Sequence, residues 1–86
     1  MKYEITIRKS AAKALDKLPT KDLKAVVESI MALANNPRPS GCKKLKGKQD
    51  IWWRIRVGDY RVIYSVDDTI HIVNVANVGH RRDIYE

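Results

Sequence analysis

The segment from Ile51 to Val66 constrains the fold more than any other part of the chain. Its apolar and polar side chains alternate on both sides of Gly58-Asp59, a dipeptide typical of a two-residue hairpin turn. Such a turn pairs Arg56 with Arg61, and residues directly opposite each other share one face of a sheet. The predicted apolar face consists of Trp53, Ile55, Val57, Tyr60, Val62, Tyr64 and Val66, and the opposite face consists of Trp52, Arg54, Arg56, Arg61 and Ile63.

The N-terminal half predicts one strand and two short helices. Alternation from Tyr3 to Arg8 indicates a strand, and Ser10 is the expected N-cap of a helix that Pro19 terminates. Thr20 is the expected N-cap of a second helix, whose end is indicated by the run 35–37. The expected apolar stripe of this second helix comprises Leu23, Val27, Ile30, Met31 and Ala34, widened on one side by Val26 and Leu33.

The remaining residues predict a loop, a further strand and a tail. Residues 36–50 are rich in Pro, Gly and Lys and predict a loop, Thr69–Ala76 predicts the last strand, and Asn77–Glu86 predicts a short polar tail. We therefore expect a single domain over residues 1–86. Its predicted fold class is α+β in the order β-α-α-β-β-β, with the helical hairpin packed on one face of a small twisted, mainly antiparallel sheet.

The sequence leaves the register of the second hairpin open. A two-residue turn at Asp67-Asp68 pairs His71 with Tyr64, whereas a turn one residue longer pairs Ile72 with Tyr64. His71 is expected to be a partly buried strand residue and not a catalytic group.

The net charge limits the kinds of binding partner to expect, and the cysteine content limits the cellular compartments to expect. The formal net charge is +7, which favours an anionic partner and leaves nucleic acid, an acidic protein and a membrane surface open. Cys42 is the only cysteine, and neither a secretory signal nor a membrane-spanning run is visible. We therefore expect a cytoplasmic protein that does not insert into a membrane.

The arginines of the predicted hairpin favour binding to phosphate groups. Like charges directly opposite each other destabilise a sheet, so we expect the Arg56–Arg61 pair to serve a function. Guanidinium groups bind phosphate in a bidentate manner, and Trp52 on the same face can stack on a base or be covered by a partner. The alternative is a solvated face whose arginines pair with carboxylates. Four lysines are expected either to attract RNA without reading its sequence or simply to solvate the loop, namely Lys43, Lys44, Lys46 and Lys48.

Three segments resemble the RelE/ParE toxin superfamily. Trp53–Tyr64 is similar to its central hairpin, Lys44–Gly47 to the K-L-x-G sequence before that hairpin, and Gly79–Tyr85 to its C-terminal motif. The resemblance implies a toxin that enters the ribosome and cleaves mRNA by attack of the substrate's own 2′-hydroxyl, without a metal or another cofactor. It also implies a cognate antitoxin protein. The toxin is then expected to contact operator DNA only indirectly, through that antitoxin.

The resemblance assigns roles to five residues. Arg61 and Arg81 match basic positions suited to stabilising the phosphate in the transition state, and Tyr85 matches a C-terminal tyrosine that can stack on a base. Arg54 and Arg56 stand where relatives often have lysine. Because arginine stays protonated, we expect these two residues to clamp phosphate and not to act as a base.

His80 is the candidate general base, since it lies beside Arg81 and an imidazole exchanges a proton near neutral pH. The alternative is an exposed tail residue without a catalytic role. No Cys/His spacing in the sequence suggests a zinc site.

Two other functions remain compatible with the sequence. ParE-type toxins share this fold with RelE-type nucleases, so a toxin that inhibits gyrase is one alternative. A non-toxic relative that only binds an antitoxin or DNA as part of a repressor is the other. Cleavage of mRNA after induced expression distinguishes the nuclease from both alternatives.

Overall fold

The computed structural model describes residues 2–46, 51–80 and 82, which form two helices and five strands. The helices follow the first strand, as predicted, and four strands follow the helices where the sequence predicted three. The elements are β1 Glu4–Ile7, α1 Lys9–Asp16, α2 Thr20–Ala32, β2 Lys43–Lys46, β3 Ile51–Val57, β4 Tyr60–Asp67 and β5 Ile72–His80.

The strands form one sheet in the order β1-β5-β4-β3-β2. β1 pairs with β5 in parallel, and the other three pairings are antiparallel. The register of the first hairpin is the one predicted, with Arg56 opposite Arg61 and Ile55 opposite Val62. The α+β class and the mainly antiparallel sheet are therefore confirmed.

One strand lies where the sequence predicted only loop. Lys43–Lys46 forms β2, a short edge strand that pairs with β3. Its single apolar residue, Leu45, sits opposite Trp52. Periodicity is weak over four residues, three of which are lysine, so the strand is defined by its pairing with β3. The charged side chains also protect an exposed sheet edge from pairing with other chains.

The start of α1 differs from the prediction. The N-cap is Arg8, and no side chain caps the helix there. Ser10 lies inside the first turn, and its Oγ donates a hydrogen bond to the carbonyl oxygen of Ala76 at 3.1 Å. Ser10 therefore attaches α1 to the sheet and does not cap the helix. For α2 the N-cap is Pro19, so Thr20 is the first helical residue and not the cap.

The buried stripe of α2 is rotated by about one residue from the predicted one. Val26 and Ile30 are buried, whereas Met31 is 56% exposed and Val27 is 39% exposed. One residue corresponds to about 100° on a helix, so Leu33 just beyond the helix also faces the core. The residues expected only to widen the stripe are thus at its centre.

The second hairpin has neither of the two registers considered above. Asp67 pairs with Ile72, so the turn contains residues 68–71 and Tyr64 lies opposite Val75. His71 belongs to this turn and has a φ of 57°. The prediction of a strand position for His71 is therefore wrong, as is the prediction that β5 ends at Ala76.

A β-bulge at Ala76 explains the length and the pattern of β5. Ile63 pairs with Asn77 while Tyr64 pairs with Val75, so Ala76 is the extra residue on β5. The bulge inverts the alternation, and Val78 consequently faces the same side of the sheet as Val75. Strict alternation of apolar and polar residues predicts a tail after Ala76, because a strict alternation does not allow for an inserted residue.

The core lies between the helices and one face of the sheet. Tyr64 is fully buried at its centre, and its hydroxyl donates a hydrogen bond to the carbonyl oxygen of Pro37 at 2.7 Å. This bond fixes the loop after α2 to the middle of β4. The other buried apolar residues of the cluster are Ala11, Leu15, Val26, Ile30, Leu33, Ile55, Val62, Val73, Val75 and Val78.

A polar cluster fastens the N-terminus and the loop after α2 to the turn between β4 and β5. Arg38 donates two hydrogen bonds to the carboxylate of Asp68, at 3.2 and 2.6 Å, and the Tyr3 hydroxyl donates a third at 2.6 Å. These donors, with Arg38 as the largest contribution, lower the pKa of Asp68 to about 2. Neither helix of the described part of the chain has the length and apolar character needed to span a membrane.

Candidate nucleic-acid interface

The sheet face away from the helices carries the arginines of the first hairpin. Gly58 begins the two-residue turn with a φ of 60°, a conformation that glycine adopts without strain. The turn fixes the register in which Arg56 lies opposite Arg61. The core side chains Ile55 and Val62 point to the helices, so both arginines point to the open face. We call the set Lys43, Arg54, Arg56 and Arg61 the arginine face.

Each of the three arginines has a different exposure. Arg56 is exposed, Arg61 is partly buried, and Arg54 is only 5% exposed. Arg54 lies opposite Ile63 on β4 and opposite Lys43 on β2, so neighbours on both sides cover it. Burial of a charged group lowers the local dielectric and strengthens its interaction with any anion that comes close. Arg56 and Arg61 are accordingly the two arginines that a ligand can contact directly.

A shallow cavity lies at the turn end of the arginine face. It has a volume of about 320 Å³ and is lined by Arg56, Gly58, Asp59, Tyr60 and Arg61. Two guanidinium groups and the carboxylate of Asp59 line this cavity, so its charged groups sum to a net positive charge that attracts an anion. A phosphate group has the charge and the acceptor geometry for this position.

Of the predicted lysines, one shares the arginine face. Lys43 pairs with Arg54 and therefore lies on that face, whereas Lys44 pairs with Trp53 and lies on the helix side. Lys46 pairs with Ile51, which shares the side of Trp53. Lys48 lies outside the described residues. The lysine cluster expected from the sequence is thus divided between the two faces of an edge strand.

His80 lies on the other side of the sheet from the arginines. It pairs with Tyr60, and their rings meet edge to face with centroids 5.6 Å apart. The backbone N–H of Arg82 donates a hydrogen bond to His80 Nδ1 at 3.2 Å. Burial, together with the nearby carboxylates of Asp22 and Asp59, raises the pKa of the Tyr60 hydroxyl. The neighbour of His80 that faces the arginines is Gly79, which pairs with Arg61.

Two predicted site residues, Arg81 and Tyr85, lie outside the described residues. Among the residues that the structure does describe, no group of three or more His, Cys, Asp or Glu side chains could hold a metal ion.

Trp52 extends the open face away from the turn. It alternates with Arg54 and Arg56 along β3, and the guanidinium carbon of Arg8 lies 5.7 Å from the centroid of its ring. The sequence alone predicts no function for Arg8. The available signal was the alternation of β1, which places Arg8 on the polar side with Glu4 and Thr6.

A helical hairpin on one sheet face and clustered arginines on the other define a small α+β domain that presents positive charge on an open sheet. Residues 5–85 match a family model described as ParE toxin of type II toxin-antitoxin system, parDE. The chain therefore belongs to the RelE/ParE family of toxins from type II toxin–antitoxin systems.

Relatives and solved structures agree with this assignment. The chain is 37% identical over 84 residues to Toxin RelE of Mycobacterium tuberculosis, covering 96% of this chain and 86% of that protein. It is 36% identical over 86 residues to Toxin RelG of the same organism, covering 99% and 98%.

The fold is similar to that of an archaeal RelE-RelB complex from Pyrococcus horikoshii OT3, with a TM-score of 0.84 and 33% identity over 98% of this chain and 100% of that chain. It is also similar to the toxin-antitoxin complex RelBE2 from Mycobacterium tuberculosis, with a TM-score of 0.82 and 32% identity over 94% and 100%.

Proposed function

We propose that this protein is a ribosome-dependent endoribonuclease that cleaves mRNA in the cytoplasm and is inhibited by a cognate antitoxin. The observation that carries the proposal is the cross-strand pair of Arg56 and Arg61 on a sheet face that the helices leave open. Relatives named as RelE toxins support the nuclease branch of the family.

The proposed chemistry is attack of the RNA 2′-hydroxyl on the adjacent phosphate. The phosphate gains negative charge as the new bond forms, and Arg56 and Arg61 are positioned to stabilise that charge. The 2′-hydroxyl loses its proton and the 5′-oxygen gains one, so the net reaction requires a proton acceptor and a proton donor but no oxidant. Arg81 and Tyr85 keep their expected roles of stabilising the phosphate and stacking on a base, and Arg54 supports the charge from its buried position.

His80 remains our candidate for the general base, and its hydrogen bond and its position each set a condition. Because Nδ1 accepts a hydrogen bond from the Arg82 N–H, the neutral ring carries its proton on Nε2, so this bond must open before Nδ1 can take a proton from the 2′-hydroxyl. Its side chain lies on the helix side, at the last residue of β5. Contact with the 2′-hydroxyl therefore requires the scissile phosphate to lie beyond the end of β5, where the sheet no longer separates the two faces. An RNA that runs from Arg61 past Gly79 and over the end of β5 meets this condition.

The proposed antitoxin is an acidic or amphipathic segment that covers the arginine face or displaces the C-terminal tail. Relatives have been solved as complexes of RelE with RelB, which supports a protein partner of this kind. Any contact with operator DNA is then indirect, through the antitoxin. Hydrogen exchange tests this contact, because antitoxin binding should slow exchange on the arginine face or in the tail. Unchanged exchange in both regions would contradict it.

Mapping of mRNA ends after induced expression tests the nuclease. Wild type should produce breaks within translated codons, and Arg61→Ala should reduce the cleavage rate by about 10²- to 10³-fold, as loss of a transition-state donor does. Lys13→Ala is the matched control, because it removes one positive charge from an exposed site on α1. Growth arrest with intact mRNA, or equal loss of cleavage in both variants, would refute the proposal.

Gyrase inhibition is the second candidate, because the matching family model is described as the ParE toxin of parDE. A ParE-like toxin makes no RNA breaks and traps cleaved DNA, so the same induced cultures distinguish the two functions. Toxicity that persists in both His80→Ala and Tyr85→Ala would favour gyrase inhibition, since neither residue has a role in it.

A further inference from the structure

A second cavity lies next to the arginine face and has no role in the proposed chemistry. Its volume is about 580 Å³, and it opens on the same side of the sheet as Arg56 and Arg61. Trp52 and Arg56 are four residues apart on β3, which separates them by about 13 Å. Its lining includes Arg8, Trp52, Ser65, Asp67, Ile72 and Asn74.

Arg8 and Trp52 form one wall of this cavity. The guanidinium of Arg8 lies over the indole of Trp52, and the backbone of Arg8 is fixed by a 2.9 Å hydrogen bond from its N–H to the carbonyl oxygen of Val75. Trp52 is held in register by Leu45 on β2. Indole rings and guanidinium planes are the two protein groups that stack best on unpaired bases. The pair is thus ordered before any ligand arrives.

Two polar side chains face this wall from the centre of the sheet. Ser65 and Asn74 lie directly opposite each other on β4 and β5. The Thr6 hydroxyl donates a hydrogen bond to Asn74 Oδ1 at 3.1 Å, which orients the amide. The Nδ2 group of Asn74 remains as a donor, and the Ser65 hydroxyl can donate or accept. Such groups can recognise the edge of a base that stacks nearby.

We propose that this cavity binds one unpaired nucleobase of the RNA, stacked on the Arg8–Trp52 pair, while the flanking phosphates lie on the arginine face. The inference rests on the proposed nuclease function and adds a base-binding subsite to it. RNA is favoured as the occupant because Arg8 continues the positive surface formed by Arg56 and Arg61. The carboxylate of Asp67 in the lining accepts hydrogen bonds from the backbone N–H groups of Thr69 and Ile70, at 2.9 and 3.2 Å. An apolar segment of a protein partner would leave the polar groups of Ser65 and Asn74 without water or hydrogen bonds.

Fluorescence of Trp52 tests the subsite without any cleavage. In the full-length chain with Trp53→Phe, Trp52 is the only tryptophan, and adenosine 5′-monophosphate at millimolar concentration should quench its emission. Arg8→Gln in the same background should weaken the binding by about tenfold, the size of a lost stacking contact. Lys13→Gln is the matched control and should change the affinity by less than about twofold. Absence of quenching, or equal weakening by both variants, would overturn the subsite.

Cleavage mapping separates failure of the subsite from failure of the proposed function. Trp52→Leu should lower the cleavage rate about tenfold and change the base preference beside the cleaved bond. If wild type makes no cuts but binds the nucleotide, the nuclease proposal fails and the subsite stands. If wild type cuts RNA while Trp52→Leu cuts with unchanged rate and preference, the subsite is wrong. If Arg8→Gln weakens only antitoxin binding, the cavity holds a protein segment and the inference is overturned.

Discussion

Tyr64→Phe tests whether the centre of β4 fixes the loop that follows α2. The variant removes one hydroxyl and leaves the ring in the core. Tyr64 is 0% exposed, and the carbonyl oxygen of Pro37, itself buried, loses its donor at 2.7 Å. Leaving a buried acceptor unsatisfied costs about 1–3 kcal/mol. In a domain of this size each kcal/mol lowers Tm by about 4–8 °C.

The same bond predicts a pH dependence with a definite sign. Burial, and to a smaller extent the neighbouring Cys42, raises the pKa of the Tyr64 hydroxyl in the folded chain above its ordinary value of 10.0. A raised folded pKa gives a stabilisation that is complete below pH 10 and is lost as the pH rises above it. The wild type should therefore lose its advantage over the Phe variant above about pH 10, by up to about 1.4 kcal/mol per pH unit.

Urea unfolding followed by tryptophan fluorescence measures both effects. Wild type and Tyr64→Phe are compared in an Arg61→Ala background, which removes the expected toxicity during expression. Tyr3→Phe is the control at pH 8, because the Tyr3 hydroxyl bonds Asp68 at an exposed site and should contribute less than the buried Tyr64 hydroxyl. A Tyr64→Phe variant within about 0.5 kcal/mol of wild type at pH 8, or a difference independent of pH, would refute the reasoning.

Three further perturbations test other parts of the molecule. Asp68→Asn should abolish a stability increment that the wild type holds above pH 4 and loses as the pH falls towards 2, because Arg38 lowers the pKa of Asp68 to about 2. Acid unfolding curves of the two proteins measure this increment, and parallel curves would contradict the prediction. Gly58→Ala should cost about 1–2 kcal/mol in urea unfolding, since its φ of 60° is strained for any residue with a Cβ. Arg56→Ala should reduce the slope of log affinity against log salt for single-stranded RNA by about 0.7, whereas Lys13→Ala should leave the slope unchanged.

Local signals determined the parts of the fold that the sequence predicted correctly. The Gly58-Asp59 turn specifies the register, and the period-two pattern of β3 and β4 agrees with it, so the two signals together identify the Arg56–Arg61 pair. β5 was predicted incorrectly because its bulge at Ala76 is stabilised from outside the strand, by the hydrogen bond from Ser10. A contact between residues 66 positions apart leaves no local periodicity.

The candidate site likewise has features that local sequence patterns predict and features that they do not. Alternation along β3 places Trp52, Arg54 and Arg56 on one face, and the structure confirms that arrangement. The burial of Arg54 depends on β2, and the contact between Arg8 and Trp52 depends on how β1 and β3 lie in one sheet. The burial of Arg54 and the Arg8–Trp52 contact both depend on tertiary structure, so the local sequence pattern of each strand cannot predict them. The side of His80 depends in turn on the bulge at Ala76, which inverts the alternation before that residue.

The open face of the sheet carries two arrangements of charged residues that are unusual in a sheet, and a function of this face would explain why they occur together. Arg56 repels Arg61 across the strands, and Arg54 is a charged residue that is 5% exposed. Like charges directly opposite each other weaken a sheet, and neither arrangement is needed to form the core, which lies on the other face. Selection for stability alone would place threonine or valine at these positions. The proposed RNA-binding function accounts for both arrangements, because a phosphate on the arginine face would be attracted by all three guanidinium groups.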